Sequence, residues 1–287
     1  MTAHSAEFAK RNRGLQLALK AMPRGEFFAG LYILGCVNGL AGRVIDTVNR
    51  LGWTDALIGT FHISAIVWIS CFAGVAFILS DKADVIRSPD IAVGFAFLLL
   101  VPLPIDKLSW FAVALLSLYI LLFAKGSGLH RKGAIILLAT TVPMLWSWLF
   151  IQFFANLILE IDASFVGWLL GTQRIGNLVE FADNSGKLVI LPSCTSLANM
   201  SLAFLCWITI SQSVSHRWSS EDLFWTFLAC VSVVTVNVTR ISLMGLSHSY
   251  YDAMHSEWGG AVFNTITLSV MVGISLVGVR RELLSRA

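Results

Sequence analysis

The chain has 287 residues, 56% of them hydrophobic and only 13% charged, with a net charge of +3. Soluble globular domains carry about 25% charged residues, so this composition excludes an ordinary soluble enzyme, as well as a disordered, collagen-like or disulfide-rich secreted chain. The small net charge gives no footing for nucleic acid, and the mean hydropathy of +0.76 leaves a helical membrane protein as the remaining class.

Residues 1–25 mix Lys and Arg with Phe8, Leu15, Leu17 and Leu19, the pattern of a basic juxtamembrane segment resting on anionic lipid. Residues 26–287 then read as one transmembrane domain. A span needs roughly 20 mainly apolar residues. Eight segments qualify, at about 27–43, 57–79, 91–105, 108–124, 133–158, 191–211, 223–240 and 261–279. The first is weak, interrupted by Asn38 and ending at Arg43. The third and fourth form a hairpin, with Pro102 and Pro104 closing one helix before Asp106 and Lys107. Pro143 predicts a kink in the fifth. Four of the five cysteines (Cys36, Cys71, Cys206 and Cys230) sit inside apolar runs and read as small hydrophobic residues.

Orientation follows from the basic residues. With the N-terminus inside, the cytoplasmic segments hold Lys10, Arg11, Arg13, Lys20, Arg24, Lys82, Arg87, Lys125, Arg131, Lys132, Arg217, Arg280, Arg281 and Arg286. The outer segments hold Arg43, Arg50, Lys107, Arg174, Lys187 and Arg240. Dropping the weak first span would reverse every later loop and nearly equalise the two sides. The positive-inside rule therefore favours an all-α, polytopic protein with about eight transmembrane helices and both termini in the cytoplasm. Trp53, Trp110, Trp168 and Trp258 fall near the outer boundary, and Trp218 and Trp225 near the inner one.

The informative stretch is 191–263. It opens Leu191-Pro192-Ser193-Cys194-Thr195-Ser196, and Pro favours the first turn of a helix, so Cys194 is expected in the opening turn of the sixth span. That end faces outward, and the positive pole of a helix favours a thiolate over a thiol. The seventh span ends with Asn237 and Arg240, three residues apart and so on one helix face. An Arg there can be a snorkelling anchor, but it lies on the side where basic residues are scarce. His248 and His255 follow, and His255 precedes the pair Gly259-Gly260, which lets backbone or substrate approach closely. Acidic residues at Glu160, Asp162, Glu180 and Asp183 read as a solvated outer loop. Topology thus gathers Cys194, Arg240 and His255 on one outer face. Cys, His and a cation are the parts for thiol acyl transfer, which needs no cofactor or metal.

At these residues the sequence resembles the exosortase/archaeosortase family of membrane-embedded cysteine transpeptidases. The likeness rests on Ser193-Cys194 at the start of a span, on Asn-x-x-Arg-Ile at Asn237 to Ile241, and on His-x-x-x-Gly-x-x-x-Phe at His255, Gly259 and Phe263. It covers about 70 residues, and Cys194-Thr195-Ser196 stands where the family has Cys-Ser-Gly. The resemblance implies Cys194 as nucleophile, Arg240 as charge stabiliser and His255 as proton carrier, with Asn237, Ser193 and Gly259 in support. It also implies exported protein substrates with a C-terminal tail of motif, transmembrane helix and basic cluster, and a bacterial inner membrane with the site facing the periplasm.

Other classes fit less well. A multi-pass transporter or channel would carry ionisable residues within its spans and Gly/Pro-broken helices in matching halves, whereas His62 is the one exception here and no internal repeat is visible. A metalloprotease motif such as His-Glu-x-x-His does not occur, nor does the Gly-x-Ser-x-Gly of a serine enzyme.

Overall fold

The computed structural model describes residues 22–82, 84–103, 106–123, 128–216 and 219–284. Most of the basic segment expected at 1–25 lies outside these residues. The described chain is all-helical apart from one small sheet, and it divides into two compact units, 1–141 and 142–287. Among the described residues four helical stretches are long and apolar enough to cross a membrane: Arg24–Ile58, Gly128–Leu170, Glu221–Met244 and Trp258–Gly278. Three shorter apolar helices, Ala65–Leu79, Ser88–Leu100 and Lys107–Phe123, accompany them. Phe72, Phe153, Trp168 and Phe227 are largely exposed. Such apolar surface is a liability in water and ordinary against lipid.

The first unit contains α1 (Arg24–Ile58), α2 (Ala65–Leu79), α3 (Ser88–Leu100), α4 (Asp106–Phe123) and α5 (Gly128–Thr141). Helix α1 does not stop at Arg43. Asn38, the expected interruption, donates from Nδ2 to Val101 O at 2.7 Å and to Ser109 Oγ at 2.8 Å, so a polar residue is satisfied within the helix and the helix continues. Its backbone breaks instead at Gly52, where φ is 79°. Gly39 permits a close approach of α4, since a Cβ there would meet the Trp110 ring at 2.7 Å. Trp110 Nε1 donates to Gly39 O at 3.0 Å, so this tryptophan is buried between helices rather than placed at an interface. His62 lies exposed in a 3-10 turn, Thr60–His62, ahead of α2 and outside any helix that could span.

A buried polar node ties the other end of this unit together. Arg24 Nη2 lies 2.6 Å from Asp90 Oδ1, with both side chains almost fully buried. Asp90 also accepts from Tyr119 Oη at 2.8 Å and from Arg87 N–H at 2.9 Å. Nearby, Asp81 Oδ2 approaches His130 Nδ1 to 2.7 Å, with both side chains buried. Removing one partner of a buried, hydrogen-bonded ion pair strands the other charge. Asp90→Ala should therefore cost about 3–5 kcal/mol, read as a lowered unfolding midpoint of the detergent-solubilised protein. Asp46→Ala, which removes an exposed i,i+4 pair with Arg50, should cost less than about 1 kcal/mol in the same measurement.

The second unit begins with a π-helical turn, Val142–Trp146, at the position where Pro143 predicts a kink. Helix α6 (Ser147–Leu170) follows and ends at Gly171 in the left-handed conformation, with φ of 68°. Three short antiparallel strands come next: β1 (Arg174–Ile175), β2 (Leu178–Glu180) and β3 (Lys187–Val189), in that spatial order. Register pairs Arg174 with Val179 and Glu180 with Lys187. Alternation explains the burial, because Val179 and Leu188 point into a core with Ala163, Val166, Ile241 and Met244. After the 3-10 turn Pro192–Cys194 come α7 (Ser196–Ser213), α8 (Glu221–Met244), α9 (His248–His255), α10 (Glu257–Gly278) and the short α11 (Arg280–Leu284). Helices α7, α8 and α10 pack on one another.

Candidate functional site

Cys194 closes the 3-10 turn that begins at Pro192, one residue before the N-cap of α7 rather than within its first turn. The N-cap is Thr195, extended at φ −70° and ψ 146°, and its side chain makes no cap bond. The capping is supplied from elsewhere. Ser196 N–H, at the first position of α7, donates to Asp162 Oδ2 of α6 at 2.8 Å. Asn237 of α8 donates from Nδ2 to Cys194 O at 2.8 Å and to Ser196 Oγ at 3.1 Å. Asn199 Nδ2 in turn donates to Asn237 Oδ1 at 3.2 Å, which fixes the amide's orientation. A chain of side-chain bonds thus seats the backbone of residues 194–196 against α6 and α8.

This seating forms one wall of a cavity of about 110 Å³. Cys194, Thr195 and Asn199 line it from the α7 side, Asn237 and Arg240 from α8, and Phe263, Asn264 and Thr267 from α10. Cys194 is half-buried and carries a thiol, not a disulfide. The spacing of Asn237 and Arg240 places both on the cavity face of α8, as one helix face requires. Arg240 is the one cation among the lining residues, and none of them is acidic. Arg240 Nε and Thr195 Oγ1 are buried and have no hydrogen-bond partner among the described residues. Buried donors are rarely left unpaired, and both residues belong to the cavity wall.

The other expected site residues sit differently. His255 is exposed at the end of α9, does not line the cavity, and stacks on Tyr251 with ring centroids 4.8 Å apart. Gly259 also lies outside the wall. Its place is structural, because a Cβ there would meet Ala253 O at 2.6 Å and Met254 Cα at 2.8 Å. Of backbone and substrate, it is backbone that approaches this glycine. Its N–H donates to Ser256 Oγ at 3.2 Å, the cap of α10. Ser193 belongs to the 3-10 turn, and its side chain lies outside the described residues.

Asp162 corrects the solvated-loop expectation. It lies within α6 and is only 3% exposed. Asp183 keeps that expectation, in an exposed turn where bonds from Ser185 hold its carboxyl below the ordinary carboxylate range. Asn199, Asn264 and Thr267 have no place among the sequence-based expectations, and Asp162 figures there only as loop polarity; Asn264 and Thr267 are two further residues of the cavity wall. The last two carry a legible signal, a polar pair three residues apart in an apolar helix, in step with Phe263.

No protein-family model, curated protein or solved structure matches this chain.

Asn237 is 6% exposed and bonds three groups of this network. Asn237→Leu should cost about 1–3 kcal/mol for each buried polar group left without a partner. Thermal unfolding in detergent measures the loss, and an unchanged midpoint would show that the network does not hold the site.

Proposed function

We propose that the protein is a membrane-embedded cysteine transpeptidase or endopeptidase of the exosortase type, which cleaves the C-terminal sorting tail of exported proteins. The observation that carries this reading is the shared cavity of Cys194, Asn237, Arg240 and Phe263, residues drawn from all three motifs of the resemblance. In this reading eight helices span the inner membrane of a bacterium, both termini are cytoplasmic, and the cavity opens towards the periplasm. The distribution of Lys and Arg supports that orientation.

The chemistry follows from the donor set. Cys194 Sγ adds to the carbonyl carbon of the scissile peptide, and the C=O electron pair moves onto oxygen. Arg240, which lines the cavity and whose buried Nε has no hydrogen-bond partner among the described residues, stabilises this oxyanion. Re-formation of the C=O breaks the C–N bond, and the thiol's proton, carried by His255, ends on the departing amine. An acceptor amine or water then attacks the thioester and gives a proton to sulfur as the C–S bond breaks. His255 lies outside the cavity wall, so its role requires the α9–α10 corner to close over bound peptide.

Cys194→Ala should abolish tail removal while the protein still inserts. The test compares the native host with that allele by mass spectrometry of envelope-protein C-termini, which needs no prior choice of substrate. Hydrophobic tails retained only in the mutant support the reading and reveal the sorting motif. Identical C-terminal profiles would overturn it and favour a transporter without thiol chemistry. Arg240→Ala should slow processing by about 10²–10³-fold, the usual loss for one oxyanion donor, in a pulse-chase of a tail-bearing protein.

A further inference from the structure

Asp162 is a carboxylate buried in an apolar helix, which is costly unless something specific is gained. It does not line the cavity, so it is not placed to touch a reacting atom. What it does touch is the N–H of Ser196, two residues beyond the thiol. Thr195, the residue that would ordinarily cap this helix, leaves the task undone. The cap is instead delivered across 34 residues of sequence from α6. Asn237 holds the carbonyl of Cys194 from α8. The short run 194–196 is therefore clamped at two points by two helices.

We infer that Asp162 is a positioning residue of the thiol site, whose bond to Ser196 N–H fixes where the Cys194 sulfur stands in the cavity wall. This rests on the thiol chemistry proposed above, and it adds a residue that the three motifs do not contain. The physical need is geometric. Cys194 lies in a 3-10 turn followed by an extended residue, neither of which has the ladder of bonds that stiffens an α-helix. A reacting atom displaced by about 1 Å can cost about 10²-fold in rate. What Asp162 must provide is an acceptor oxygen at one place, and an amide oxygen supplies that as well as a carboxylate.

Two variants of the full-length protein separate position from charge and from folding. Asp162→Ala removes the acceptor, and Asp162→Asn keeps an oxygen of the same reach. Each is purified in detergent and treated with N-ethylmaleimide, and alkylation of Cys194 is timed by peptide mass spectrometry with Cys230 as internal reference. Loss of the clamp frees the turn, so Cys194 in Asp162→Ala should react several-fold faster relative to Cys230, and Asp162→Asn should stay within about twofold of wild type. In the host, tail removal should fall about 10²-fold in Asp162→Ala and be largely kept in Asp162→Asn. Wild-type alkylation in Asp162→Ala overturns the inference, as does an Asn variant that is as impaired as the Ala variant. If the Ala variant fails to insert, Asp162→Ser, whose hydroxyl is too short to reach Ser196 N–H, takes its place in both readouts with the same expected and overturning results. If Cys194→Ala leaves tail removal intact, the transpeptidase reading fails, and the alkylation arm still decides the role of Asp162.

Discussion

The N-terminal end of α7 has to be capped by residues that are distant in sequence, and the whole site is arranged around that constraint. A helix start leaves several N–H groups without intrahelical partners, and in an apolar setting water is not at hand to supply them. Thr195 does not supply them either. Asp162 meets part of the need by accepting from Ser196 N–H, and Asn237 seats the same turn by donating to the Cys194 carbonyl and the Ser196 hydroxyl. Because Asn237 and Arg240 share one face of α8, the residue that seats the Cys194 turn and the cation reach the cavity from the same side of that helix. Backbone satisfaction and site assembly are thus one set of contacts.

The electrostatics of the site follow from this arrangement. The N-terminal end of α7 is met by the Asp162 side chain, which does not line the cavity. What remains unanswered on the cavity side is Arg240, together with side-chain amides and hydroxyls that carry no net charge. A group bound there would meet donors and no fixed anion. That is the environment in which a developing negative charge on oxygen gains most, because nothing has to reorganise to receive it.

Much of this was readable from sequence where the signal was local. The i,i+3 pairing of Asn237 and Arg240, the break at Pro143 and the apolar character of the long helices all depend on neighbours within one or two turns. Helix α1 ran past Asn38 because Val101 and Ser109, more than 60 residues away, satisfy that amide. Asp162 looked like loop polarity for the same reason, since its partner is set by packing of α6 against α7 and not by spacing. The strands at 174–189 are too short for alternation to stand out from turn residues. His255 is the reverse case: its sequence context is specific, while the corner that carries it keeps the imidazole on Tyr251 and away from the wall.

Helix α10 carries three of the cavity-lining residues, yet it is the least enclosed of the long apolar helices. Only 17% of its most hydrophobic window is buried in protein, against 39–50% for the other three. Among the described residues it packs chiefly on α7 and α8, with α9 and α11 at its ends, and much of its surface is exposed. In a bilayer the surroundings of that surface are acyl chains, whose thickness and lateral packing act directly on its exposed face. The third wall of the site is then partly a property of the lipid, and the dimensions of the cavity would change with the fatty acids a cell makes as well as with its genes.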